Sequence, residues 1–139
     1  MILRMFGAKI GSGTRPYPAS FVWAPWNLVV GKTVGIADGA EIYNPGRVFI
    51  GDYATISQGA YICAASHDYT CRSMPLTTDD INIERFVWVA ARAIVQMGVT
   101  LHEGCVIGAG SVVTKSMPAW TVCAGNPCRA IKQYAQIQD

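Results

Sequence analysis

Aliphatic residues recur every six positions through the second half of this 139-residue chain. Starting at Ile83, they fall at Val89, Val95, Leu101, Ile107 and Val113 without a slip. Four residues after each of these come Val87, Ala93, Val99, Cys105, Ser111 and Met117, mostly small or modest in size. About a fifth of the chain is Ile, Leu or Val, so six in register by chance is on the order of one in ten thousand, or roughly one in a hundred once every start is allowed. The pattern also runs through Val30, Ile36 and Ile42 and then, after a two-residue slip, through Ile50, Ile56 and Ile62. It is a genuine repeat.

A period of six suits neither a 3.6-residue helical stripe nor a plain alternating hairpin. It suits a short strand and a turn, with the aliphatic side chain pointing into a narrow interior. Gly and polar residues crowd the positions between, as in IGDYAT, ISQGAY, LHEGCV and IGAGSV, where Gly supplies turn backbone. One such unit buries almost nothing, so stability must come from stacking like upon like. The expected fold is therefore an all-β solenoid, read as one domain over 1–139.

Two segments depart from the repeat. Between Ser66 and Asn82, SHDYTCRSMPLTTDDIN carries a histidine, three acids and a proline but few aliphatics. A long polar excursion in a tight solenoid is either a site or a tolerated surface loop. From Pro118 onward the register is lost, and Pro127 could start a short helix with Ile131, Tyr134 and Ile137 on one side. A C-terminal helical cap over 127–139 is the expectation. Trp23 and Trp26, three apart around a proline, are expected to pack over the first coil, with lining an acceptor site as the alternative.

Composition excludes several classes. Eleven basic residues stand against nine acidic ones, too even a balance for phosphate-backbone binding, which needs clustered Lys and Arg. Five cysteines form no CxxC pair and are odd in number, which argues against disulfides and a structural zinc and for a reducing compartment. No apolar run reaches the length of a membrane span. The start, MILRMFGAKIGSG, breaks at Gly7 and Lys9 with no cleavage-like site, so the chain reads as mature cytoplasmic protein rather than a leader.

The motifs FGAKIG, WAPWNL, ISQGAYICAASHDY, VWVAA, GVTL, IGAGSVVTK and AGNPCRAIK, in this order and across nearly the whole chain, resemble the hexapeptide-repeat acyltransferases. The likeness is greatest to exopolysaccharide O-acetyltransferases of the colanic-acid type, near the galactoside and maltose acetyltransferases. The resemblance implies a left-handed parallel β-helix of three hexapeptides per coil, acetyl-CoA as co-substrate, no metal, and a homotrimer with active sites between subunits. It further implies transfer of an acetyl group to a sugar or polysaccharide-precursor hydroxyl. Xenobiotic (streptogramin-type) and amino-sugar N-acetyltransferases share the donor half and remain alternatives. A bare structural β-solenoid would show a regular Thr ladder and no long histidine-bearing loop. Members of the subgroup usually carry a longer segment ahead of the position where this chain begins, and that segment bears on the acceptor pocket. Val89-Ala90 and Leu101-His102 also replace the usual aliphatic-Gly step, which affects local geometry more than chemistry.

Residue by residue, the resemblance assigns His67 as general base. The chemistry asks for one, because an alcohol is a poor nucleophile at neutral pH and imidazole can take its proton. It assigns Ala91, Ala109, Thr114, Lys115, Arg129 and Lys132 to acetyl-CoA: small side chains for the pantetheine arm and cations for the phosphates. Read without it, these are ordinary solenoid alanines and surface charges. His102, the only other histidine, reads as exposed scaffold, and two histidines cannot build a three-histidine zinc site. Asp68, adjacent to His67, could orient a partner, although neighbouring side chains often diverge. Asp79 and Asp80 read as a solvated pair, and the cysteines as packing residues.

Overall fold

A computed structural model describes residues 2–136. The chain winds through stacked coils, each laying short strands on three faces. The first face holds Lys9–Ile10, Leu28–Val30, Val48–Ile50, Ile81–Ile83 and Thr100–Leu101. The second holds Arg15–Pro16, Gly35–Ile36, Thr55–Ile56, Trp88–Val89, Val106–Ile107 and Thr121–Gly125. The third holds Phe21–Val22, Glu41–Tyr43, Tyr61–Cys63, Ile94–Gln96 and Val112–Val113. Successive strands on a face run parallel and in register, as with Val30 beside Ile50, Ile50 beside Ile83, and Ile83 beside Leu101. The repeat is thus a parallel β-solenoid, and both aliphatic columns from Ile83 onward are buried.

The corners explain the spacing. Between first and second faces, segments 11–14, 31–34, 51–54, 84–87 and 102–105 each take four residues. Between second and third, segments 17–20, 37–40, 57–60, 90–93 and 108–111 do the same. The third residue is left-handed in nearly all of these, including the non-glycines Thr33, Tyr53, Phe86 and Arg92. In every coil from the second onward, the fourth turns inward and is buried, as Val34, Ala54, Val87, Cys105, Ala40, Ala60, Ala93 and Ser111. That fourth position is the second column of the repeat. Gly104 fills one left-handed position for a second reason: the Trp120 ring covers it so closely that a Cβ would lie 2.3 Å from an indole carbon.

The corner from third face back to first obeys no fixed length. It runs over 23–27, 44–47, 64–80 and 97–99, and the longer early corners produce the two-residue slip. Asn44 anchors this edge. Completely buried, it accepts the Ala24 N–H at 2.9 Å and donates its amide to the Ala24 carbonyl at 2.8 Å. Asn44→Leu should strip both backbone groups of their partner, at about 1–3 kcal/mol each. The expected outcome is a lower urea midpoint with an unchanged slope, against which an unchanged midpoint would show that Ala24 finds other partners.

Three expectations need correction. Residues 128–133 are not a helix: Cys128–Gln133 is a strand running antiparallel to Thr121–Gly125. The strand Thr121–Gly125 would otherwise present an open row of N–H and C=O groups, and the chain turns at Gly125, with φ of 109°, to cover it. Ile131 is the extra residue of a bulge in that pairing and is exposed. Tyr134 instead packs edge-on against Trp120 and donates its hydroxyl to the Gly104 carbonyl. Ile137 lies outside the described residues. Next, the excursion at 66–82 is largely a hairpin. Ala65–His67 pairs antiparallel with Leu76–Thr78, and Ile81–Ile83 has already rejoined the first face. Asp79 and Asp80 stay exposed, as expected; Asp80 in addition ties the base of the hairpin by accepting the Arg47 N–H at 3.0 Å, and Asp79 accepts the N–H of Asp80 at 2.8 Å. Finally, the tryptophans only partly cover the early coils. Trp23 meets Tyr43 edge-on at 5.5 Å, and Trp26 lies against Gly7, both rings staying about half exposed or more.

Candidate active site between two edges of one face

His67 stands two residues up the hairpin from the variable corner, and it is exposed. Its Nδ1–H donates to the Met74 carbonyl at 2.7 Å across the hairpin. With the proton on Nδ1, Nε2 keeps its lone pair. An imidazole held in this way can accept a proton from a group placed against its outer edge.

Ala91 and Ala109 meet at a different edge. They line an open groove of about 650 Å³ at the corner between second and third faces, together with Gln58, Gly59, Arg92 and Gly110. The groove is narrow in side chains, since four of these six residues carry a methyl group or less. Arg92 was not foreseen. It occupies a left-handed position where stacked coils have Gly39, Gly59 and Gly110, and its Cγ closes over Gly59. An arginine breaking a glycine column is a signal the sequence did contain.

Above this groove lies Arg129, opposite Ala124, and a Cβ on Gly108 would lie 3.0 Å from the Ala124 methyl. Lys132 sits further along the same strand, opposite Val122, and is exposed. Thr114 and Lys115 are elsewhere. They follow Val112–Val113 at the far end of the third face, on the same edge as the hairpin, and both are exposed. Apart from Lys132, which lies opposite Val122 on the second face, the expected donor residues therefore split into two groups. Ala91, Ala109 and Arg129 share one edge of the third face, whereas Thr114, Lys115 and His67 share the other, with about 10 Å of strand between.

Other titratable groups have settled roles. Tyr61 lies on the third face between the two edges, its phenol pushed up to about 12 by burial first and by Cys63 and Glu41 in addition. It is a neutral donor. Burial raises the thiols of Cys105, Cys123 and Cys128, which makes them poor nucleophiles. His102 is exposed and donates to Glu84 at 3.2 Å. Among the described residues, no three His, Cys, Asp or Glu gather as metal ligands, and no helix is long and apolar enough to cross a membrane.

No family model matches the chain. Sequence comparison finds WcaF of Escherichia coli (strain K12), a candidate colanic acid biosynthesis acetyltransferase. It is 36% identical over 137 residues, covering 99% of this chain and 75% of the relative. A maltose O-acetyltransferase from Clostridium difficile 630 superposes with a TM-score of 0.90 at 31% identity, over 97% of this chain and 74% of the other. A hexapeptide-repeat acetyltransferase of Vibrio cholerae O1 biovar eltor, solved with acetyl coenzyme A, gives a TM-score of 0.92 at 22% identity, over 97% and 75%. That last likeness is one of fold. Identity over nearly the full length of the chain, carried on the same solenoid, makes this protein a member of the hexapeptide-repeat acetyltransferases.

Proposed function

We propose that this acetyltransferase moves the acetyl group of acetyl-CoA to a hydroxyl of a sugar or exopolysaccharide precursor, with His67 as general base. One observation carries the reading: the Nδ1–H of His67 is committed to the Met74 carbonyl, leaving Nε2 able to accept a proton. The acceptor hydroxyl gives its proton to Nε2 as its oxygen bonds to the acetyl carbon. The carbon–sulfur bond then breaks, and the imidazolium returns the proton to the departing thiolate. Backbone N–H groups stabilise the developing oxyanion.

On the donor side, the groove of Ala91 and Ala109 fits a thin pantetheine arm, and a Cβ placed on Gly110 would meet nothing. Thr114, Lys115, Arg129 and Lys132 supply donors for the amides and phosphates, and Arg92 adds a cation. The donor groove and His67 lie on opposite edges of the third face. A homotrimer brings the edge bearing the base of one copy against the groove of the next, repeating one closed cleft three times. The free cysteines among the described residues suit work in the reducing cytoplasm.

Free-thiol release from acetyl-CoA across neutral sugars, oligosaccharides, amino sugars and a streptogramin tests the reading. Release stimulated by hydroxyl acceptors is expected. Stimulation by amines alone would replace O-acetylation with N-acetylation, and no stimulation by any sugar would remove the saccharide acceptor.

A further inference from the structure

One carboxylate in the hairpin has no part in the scheme above. Asp68 follows His67 directly, yet its side chain turns to the loop rather than to the imidazole. Oδ1 accepts the Thr70 N–H at 3.0 Å and the Thr70 hydroxyl at 2.6 Å, and Oδ2 accepts the Cys71 thiol at 3.3 Å. The Thr70 hydroxyl above all, then the Thr70 N–H and the thiol, hold this carboxyl below its ordinary range, so it is ionised wherever imidazole is neutral.

The backbone carries the effect onward. The Asp68 N–H donates to the Pro75 carbonyl at 3.0 Å, and the Cys71 N–H to the Asp68 carbonyl at 3.3 Å. The Cys71 carbonyl in turn accepts the Met74 N–H at 3.0 Å. Met74 itself sits at φ of 42°, a left-handed conformation that residues with side chains seldom adopt and that the surrounding contacts must hold. In that conformation the Met74 carbonyl meets His67 Nδ1 at 2.7 Å.

We infer that Asp68 is a positioning residue for His67: by closing the loop on Thr70 and Cys71, it holds the Met74 carbonyl where it fixes the proton on Nδ1 and leaves Nε2 free. The catalytic meaning of this link rests on the proposed function, but the link itself does not. In free histidine the Nε2–H form is the commoner tautomer, so an imidazole released from Met74 should revert to it. The reverted ring presents a proton, not a lone pair, on its outer edge.

With two histidines in the chain, side-chain ¹⁵N–¹H correlation spectra of the full protein can read each tautomer at a pH where both rings are neutral. The wild type should show His67 protonated on Nδ1. Asp68→Ala should move it to mainly Nε2–H and lower turnover tenfold or more, with unchanged affinity for CoA. Asp68→Asn keeps an oxygen for both Thr70 donors and should restore the Nδ1–H form and most of the turnover. His102, bonded to Glu84, should keep its signals throughout. A His67 that stays on Nδ1–H in Asp68→Ala would overturn the inference, as would an Asp68→Asn that fails to restore it. A tautomer that switches while turnover holds would leave the positioning link standing and remove His67 as the base.

Discussion

Replacing His67 with alanine is expected to lower turnover by about 10²–10⁴-fold, the usual range for loss of a general base. The fold should survive. His67 is exposed and contributes nothing to either buried column. The hairpin keeps its ladder from Ala65–Thr78 and the Asp68–Pro75 hydrogen bond without the imidazole. CoA affinity should hardly change, because the groove lies at the other edge of the third face. The measurement is turnover on the responsive acceptor, beside circular dichroism and CoA binding. A variant retaining more than half its activity would end the assignment. His102→Ala is the matched control: it removes an exposed imidazole with an exposed partner, Glu84, and should leave turnover as it was.

The second large effect is a rescue. Ala109→Trp sets an indole into a groove built for methyl groups, and it should cut activity at least about 10²-fold by displacing the donor. Ala109 is exposed, so the solenoid need not rearrange. Each variant alone should be inactive. Unfolded, mixed in equal amounts and refolded, the two should recover roughly a quarter of wild-type activity. One interface in four then pairs an intact His67 with an intact Ala109, if interfaces act independently. Refolded trimers with no activity would place both groups in one chain's own site, and a monomer in solution would remove the shared cleft altogether.

The columns were legible because the strands and corners of a solenoid turn their buried residues inward at fixed steps, and that demand is written in the spacing. The two-residue slip was visible too, but its cause was not: it arises at the one corner whose length varies, held by Asn44 on the backbone of Ala24. At 128–133 the sequence offered a helical spacing of Ile131 and Tyr134. The exposed edge of Thr121–Gly125 overrode it, since an unpaired strand recruits whatever chain follows. His67 and the two alanines could be singled out as candidates from motifs. That Lys115 stands apart from Ala109 could not, because a period of six says which residues point inward and nothing about how far apart two corners lie. Arg92 was missed for a related reason: it looks like any surface arginine until Gly39, Gly59 and Gly110 are seen stacked with it.

The variable corner divides the chain into parts with different freedom to change. Ile56 and Val89 lie side by side although the whole hairpin separates them in sequence, in the same way that Ile36 lies beside Ile56. To the two four-residue corners, the hairpin does not exist. Adding or removing a residue at 57–60 or 90–93 would turn the inward side chains that follow, as far as the next variable corner, to the wrong face, so the groove lined by Ala91 and Ala109 keeps its place. Residues 64–80 carry no such penalty. A chain built this way can exchange the hairpin that carries His67 as a cassette while the solenoid behind it stays the same.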